Sequence, residues 1–225
     1  MTRPKRSDEA DGIYHVLNRG NARQTIFHKP QDYAAFERIL GKAIKVHPVE
    51  LFAYQLMPNH WHLVLRPTVD GQMGRMMRYL TMTHTMRYHT HFGTVGEGHV
   101  YQGRFKSFQV QEDAHFFSVC RYVERNAVRS GLVDQAEDWQ WGSLWRSQQP
   151  IEPKPKLLTA WPLFQPKDWG SYVNQPQNER ELAAIHQSIK RGSPFGDSQW
   201  VEATAKQSGL ESTLRSRGRP KSQNR

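Results

Sequence analysis

The chain has 225 residues, room for one good-sized domain with an appended segment. Its mean hydropathy is −0.78, no run nears the roughly 18 uninterrupted apolar residues of a membrane helix, and its single cysteine, Cys120, excludes both a disulfide framework and a Cys-rich zinc module. Thirty-one Lys and Arg against 21 Asp and Glu leave a formal charge of +10, a field that attracts polyanions, of which nucleic acid is the commonest.

Met1-Thr2-Arg3-Pro4-Lys5-Arg6 is basic, with no apolar stretch behind it. A secretory signal is therefore not expected, and the sequence reads as a soluble, cytoplasmic protein. Residues 1–11 form a basic arm. Residues 12–19 alternate well enough for a first strand, and Pro30 suits the first position of a helix in which Tyr33, Phe36, Leu40 and Ile44 recur at helical spacing. Val49 to Leu56 reads as a second strand, Met57-Pro58-Asn59 as a turn, and His60 to Arg66 as a third strand. A helix from Gln72 to His89 carries Met73, Met77, Leu80 and His84 on one side. A loop with four glycines follows between residues 93 and 103. Phe105 to Gln111 is a fourth strand, and Glu112 to Val128 a third helix ending near Gly131.

The order β-α-β-β-α-β followed by a helix predicts an α+β, ferredoxin-like antiparallel sheet with two helices on one face and the second face free for a ligand. Such a scaffold hosts many activities, so the fold alone assigns none. Residues 132–204 form a C-terminal extension expected to pack on the core. Within it, residues 150–166 hold five prolines and read as an extended linker. Asn178 to Glu181 resembles a helix cap preceding Leu182, Ile185 and Ile189. Residues 205–225 read as a basic, disordered tail.

The strongest local signal is Pro58-Asn59-His60-Trp61-His62-Leu63-Val64. Strand side chains alternate, so His60 and His62 share one face while Trp61, Leu63 and Leu65 share the other. Two imidazoles side by side suit a divalent ion, although a lone His-x-His on a strand is also what two surface histidines look like. On the third helix, Phe116, Cys120, Val123 and Ala127 make a buried stripe, and Tyr122 and Asn126 stack one turn apart on a neighbouring face with His115. A tyrosine there is commonly a packing residue. Beside an amide and a metal it becomes a candidate nucleophile for a phosphodiester. Two imidazoles and an amide favour Mn²⁺ or Zn²⁺ by ligand type, and three protein ligands leave positions open for phosphate or water. Arg104 and Lys106 share one face of the fourth strand, with Phe105 opposite. They join Arg19, Arg23 and Arg78 as phosphate-contact candidates. Arg217-Gly218-Arg219-Pro220 has the shape of a minor-groove hook, or of a plain basic tail.

Taken together, residues 12–20, the His60-Trp61-His62 strand and Tyr122-Val-Glu-Arg-Asn126-Ala-Val-Arg-Ser-Gly131 resemble the REP-associated tyrosine transposases, relatives of the single-tyrosine HUH transposases of insertion sequences. Trp139 to Trp145, residues 193–200 and residues 209–220 resemble the family's C-terminal signature, so the likeness spans nearly the whole chain. It implies an HUH domain over residues 12–131, with His60, His62 and Asn126 holding Mg²⁺ or Mn²⁺ and Tyr122 as nucleophile, leaving a 5′-phosphotyrosine and a free 3′-OH. The implied partners are single-stranded DNA hairpins of repetitive extragenic palindromes, bound by a monomer or weak dimer associated with the nucleoid. Ala127 departs from the proline that many relatives carry after the Asn. Two rivals remain: a non-catalytic nucleic-acid-binding module, and a nuclease that activates water and does not need Tyr122.

Overall fold

The computed structural model describes residues 6–151 and 153–215. Four strands, β1 (Ile13–Arg19), β2 (Val49–Met57), β3 (His60–Pro67) and β4 (Lys106–Val110), form one antiparallel sheet in the order β2-β3-β1-β4. Helices α1 (Pro30–Val46) and α2 (Gln72–Phe92) cross between them. This is the ferredoxin-like arrangement that the element order predicts.

Each crossover helix starts where the sequence supplies a cap. Pro30 opens α1, and the Asp32 carboxylate accepts from the backbone N–H groups of His28 and Lys29 at 2.8 and 3.1 Å. Asp8, from the N-terminal arm, does the same for α2 by accepting from Met73 and Gly74 at 3.0 and 2.7 Å. Both helices then press apolar stripes onto one sheet face, where Phe36 and Leu40 of α1 and Met73, Met77 and Leu80 of α2 meet Trp61, Leu63 and Leu65 of β3. Complete burial of a side chain of this size is worth about 1.5–3 kcal/mol.

The opposite face is not free. Helix α3 (Ala114–Glu124) lies on it, and Phe116, Val119, Cys120 and Val123 bury against Phe52, Ala53, Val64, Phe108 and Val110. A bulge in β2 helps build this second layer: pairing shifts between Leu51 and Ala53, so Phe52 and Ala53 both serve the α3 side. The apolar stripe on α3 needed a partner, and an equally apolar sheet face was there to supply it. The third helix is also shorter than the predicted 112–128 span. It is interrupted at Arg125 (φ −78°, ψ −3°), and α4 (Asn126–Arg129) continues from there.

The chain beyond residue 131 adds α5 (Ser143–Ser147), α6 (Trp169–Asn174), α7 (Glu179–Arg191) and α8 (Ser198–Gln207). Leu144, Trp169, Val173, Ile185 and Phe195 bury in the α3 layer. Both sheet edges receive backbone from this region. At β2, Leu56 N–H donates to Trp141 C=O (2.9 Å) and Thr159 N–H to Leu51 C=O (2.8 Å); at β4, Phe195 exchanges bonds with Gln109 and Gln111 (2.8 and 2.9 Å). The proline-rich stretch read as a linker is thus strapped to the core, with Leu157 buried and Trp161 Nε1 donating to Phe52 C=O at 2.8 Å. The region read as a disordered tail begins inside α8 and keeps Leu210 and Thr213 buried; its remainder, with Arg217 and Arg219, lies outside the described residues.

One buried acid ties α3 to the extension. Glu124 accepts from Ser143 Oγ at 2.5 Å and from Trp169 Nε1 at 2.6 Å, and burial lifts its pKa to about 7. Because the folded value exceeds the unfolded one, this group's contribution is fully present below the unfolded pKa of 4.5 and is lost as pH rises through 7. Melting temperatures recorded from pH 5 to 8 should fall less steeply in Glu124→Gln than in the parent chain.

Candidate active site

A cavity of about 1100 Å³ opens between the α3 side of the sheet and the extension. His60, His62, Tyr122 and Asn126 all line it. The register of β1 against β3 sets the histidines in place by pairing Leu17 with His62 and Arg19 with His60. Alternation then sends both imidazoles toward α3, where their ring centroids lie 5.0 Å apart, nearly perpendicular. Tyr122 descends from α3 onto them, its ring 5.9 Å from that of His62 and also edge-on. All four residues are buried.

Hydrogen bonds at Nδ1 decide which imidazole nitrogens could serve as donors to an ion. Asn59 Nδ2 donates to Arg23 C=O at 3.1 Å, which turns Asn59 Oδ1 toward His60 Nδ1, 2.6 Å away. His60 Nδ1 must then carry the proton, and Nε2 keeps a lone pair. His62 Nδ1 is likewise engaged, by His15 Nε2 at 2.8 Å. Burial drives the pKa of His60 down to about 3, with Arg19 and Arg129 adding to the effect, and takes His62 well below its ordinary value. Both rings are therefore neutral donors at pH 7. Among the described residues no three His, Cys, Asp or Glu side chains converge for a metal, so a third protein donor to any ion here would have to be of another kind. Asn126 could meet that need through its Oδ1, since it is buried and lines the cavity. Two neutral imidazoles and an amide fit a divalent cation.

Tyr122 feels opposing influences. Burial raises its pKa, and the Arg129 guanidinium, 4.3 Å over the ring, pulls it back. Arg19, Arg23, Arg104 and Lys106 line the same cavity, whereas Arg78 faces a neighbouring one of about 380 Å³ together with Arg6 and Arg104. His115 is elsewhere, paired with Asp113 at 2.7 Å and edge-on to Phe195.

Several residues were not singled out by the sequence. Arg129 stands one turn past Asn126 and was legible as an i+3 neighbour. His15 sits in an apolar strand run. His186, Lys190 and Arg191 come from α7, a helix with no chemical pattern of its own, yet they line the cavity; the His186 ring lies 5.7 Å from that of Tyr122.

The family model for IS200-like transposases matches residues 10–126, and the chain belongs to that family. It is therefore a transposase-type protein that acts on DNA. A solved REP-associated tyrosine transposase, bound to a REP hairpin, shares the fold at a TM-score of 0.54 with 19% identity, covering 71% of this chain and 95% of that one. A candidate transposase from Deinococcus radiodurans R1 aligns at a TM-score of 0.39 and 18% identity over 55% of this chain and 96% of its own. No curated protein sequence matches.

Arg129→Ala should raise the Tyr122 pKa further, whereas Arg129→Lys should hold it near the parent value. The Tyr122 ¹³Cζ shift, followed against pH in ring-labelled protein, reads this directly.

Proposed function

We propose that the chain is a metal-dependent endonuclease and strand-transferase for single-stranded DNA, working through a covalent 5′-phosphotyrosine at Tyr122. The observation that carries this reading is the seating of the Tyr122 ring 5.9 Å from the His62 ring, inside a cavity also lined by His60 and Asn126. A plain binding module has no need to bury a phenol beside two neutral imidazoles, and a water-activating nuclease has no need of the phenol.

His60, His62 and Asn126 would hold Mg²⁺ or Mn²⁺. When bound, the ion supplies charge relief to the non-bridging phosphate oxygens and helps align the phosphate for in-line attack. The chain's own residues do the rest. Arg19, Arg104 and Lys106 neutralise backbone phosphates along the cavity wall, and Arg129 lowers the cost of the developing phenolate. Tyr122 Oη forms a bond to phosphorus as the P–O3′ bond breaks. The phenol loses its proton and the departing 3′ oxygen gains one, which leaves a 3′-OH on one fragment and a phosphotyrosine on the other. The bond energy is retained, so a 3′-OH can reverse the step without ATP.

The structural neighbour is bound to a REP hairpin, and hairpins of repetitive extragenic palindromes are the substrates we assign. All four candidate site residues line one cavity of one chain, which supports a monomer or weak dimer. We assign catalysis to residues 12–131 and a share of DNA grip to the extension, because Lys190 and Arg191 of α7 line the same cavity as Arg19.

Incubation of labelled hairpin with Mn²⁺, resolved on a denaturing gel, should give a protein–DNA adduct that is absent in Tyr122→Phe and after chelation. His62→Ala should slow adduct formation by about 100-fold or more. Cleavage that persists in Tyr122→Phe would overturn the covalent mechanism. Replacing Lys190 and Arg191 together by Glu should weaken hairpin affinity by about 10-fold near 0.1 M salt and flatten its salt dependence; unchanged affinity would remove α7 from the DNA path.

A further inference from the structure

We infer that His15 is a positioning residue for the metal centre: it accepts a hydrogen bond from His62 Nδ1 and so fixes the tautomer and ring plane that present His62 Nε2 to the ion. This inference rests on the reading of His62 as a ligand and adds a member that lies outside the ligand set.

The geometry is specific. His15 Nε2 and His62 Nδ1 are 2.8 Å apart, and the two rings are parallel within 7° with centroids 5.0 Å apart. Both side chains are buried, and Phe108 and Tyr122 stand edge-on to His15 at 4.9 and 6.0 Å. The rings have little freedom to turn. A neutral imidazole carries one proton, so a His62 that ligates through Nε2 must carry it on Nδ1. The partner of that Nδ1 is His15 Nε2, which must then accept. This matches what Asn59 does for His60, whose Nδ1 is engaged at 2.6 Å. Both candidate ligands are thus tied at Nδ1, one by an amide oxygen and one by a third histidine.

The two ties are not equivalent. Asn59 accepts without consequence, because its Nδ2 has Arg23 C=O. His15 can accept only by moving its own proton to Nδ1, which is buried with no hydrogen-bond partner among the described residues. The opposite arrangement, with His15 Nε2–H donating, leaves only a bare lone pair at that nitrogen but places the His62 proton on Nε2, where it blocks ligation. His15 therefore orients His62 and also tempers affinity, since loading the ion leaves an N–H unpaired in a dry site. An amide at position 15 would accept without that penalty.

The test is Mn²⁺ affinity, measured by EPR titration of the full chain without DNA, for the parent, His15→Phe and His15→Gln. His15→Phe keeps the ring volume and removes the acceptor, and it should weaken binding by about 10- to 100-fold. His15→Gln should bind at least as tightly as the parent. Thermal melting and hairpin binding in EDTA check that each variant folds. Imidazole ¹⁵N spectra of the parent chain loaded with diamagnetic Mg²⁺ supply a readout independent of any substitution, in which His62 should be protonated at Nδ1 and bare at Nε2. A folded His15→Phe that binds Mn²⁺ as tightly as the parent overturns this inference alone, whereas a loaded His62 protonated at Nε2 overturns it together with the assignment of His62 as a ligand. A parent chain that takes up no Mn²⁺ overturns it together with the ligand assignment.

Discussion

Strand register governs the site. Leu17 opposes His62 and Arg19 opposes His60 across β1 and β3. Since side chains alternate, a slip of one residue in β3 would turn both imidazoles into the apolar layer and Trp61 out of it. Trp61 is what forbids the slip. It is completely buried under α1 and α2, and its Nε1 donates to Tyr101, whose hydroxyl in turn contacts His84 of α2 at 2.7 Å. An indole held at both its apolar face and its polar edge keeps His60 and His62 on the opposite side of the sheet. Packing on one face thereby specifies chemistry on the other.

The other half of the site depends on the second layer. Tyr122 reaches the histidines only because α3 lies flat on the sheet, held by Phe116, Cys120 and Val123. The interruption at Arg125 falls between Tyr122 and Asn126, so Asn126 begins a new short helix. Glu124, one residue before that break, anchors α3 to Ser143 and Trp169. The position of the phenol is therefore shared between the core and the segment that follows it.

Much of this was legible in the chain. Alternation around His60-Trp61-His62 placed the imidazoles, and the 3.6-residue period of the third helix separated Phe116, Cys120 and Val123 from Tyr122 and Asn126. The covered second face was missed, although a sign of it was present: Ile13-Tyr14-His15-Val16-Leu17 and Leu51-Phe52-Ala53-Tyr54 are near-continuous apolar runs, the pattern of strands buried on both faces rather than one. His15 is hidden inside the first of these runs, where a histidine reads as a core residue. His186 and Lys190 carry no signal, because their relevance comes only from where α7 docks. The proline-rich stretch misled for a related reason. Prolines forbid helix and ladder but not an extended strap, and Trp161 and Leu157 supply the attachment.

Because the backbone past residue 131 occupies β2 at Trp141 and Thr159 and β4 at Phe195, the sheet presents no long run of open amides on either flank. Those same amides, uncovered, are the template on which foreign strands add. The extension therefore covers edges at which foreign strands could otherwise add. A core shortened to residues 12–131 would be a sticky protein, and its failure to act on a hairpin would say more about precipitation than about catalysis.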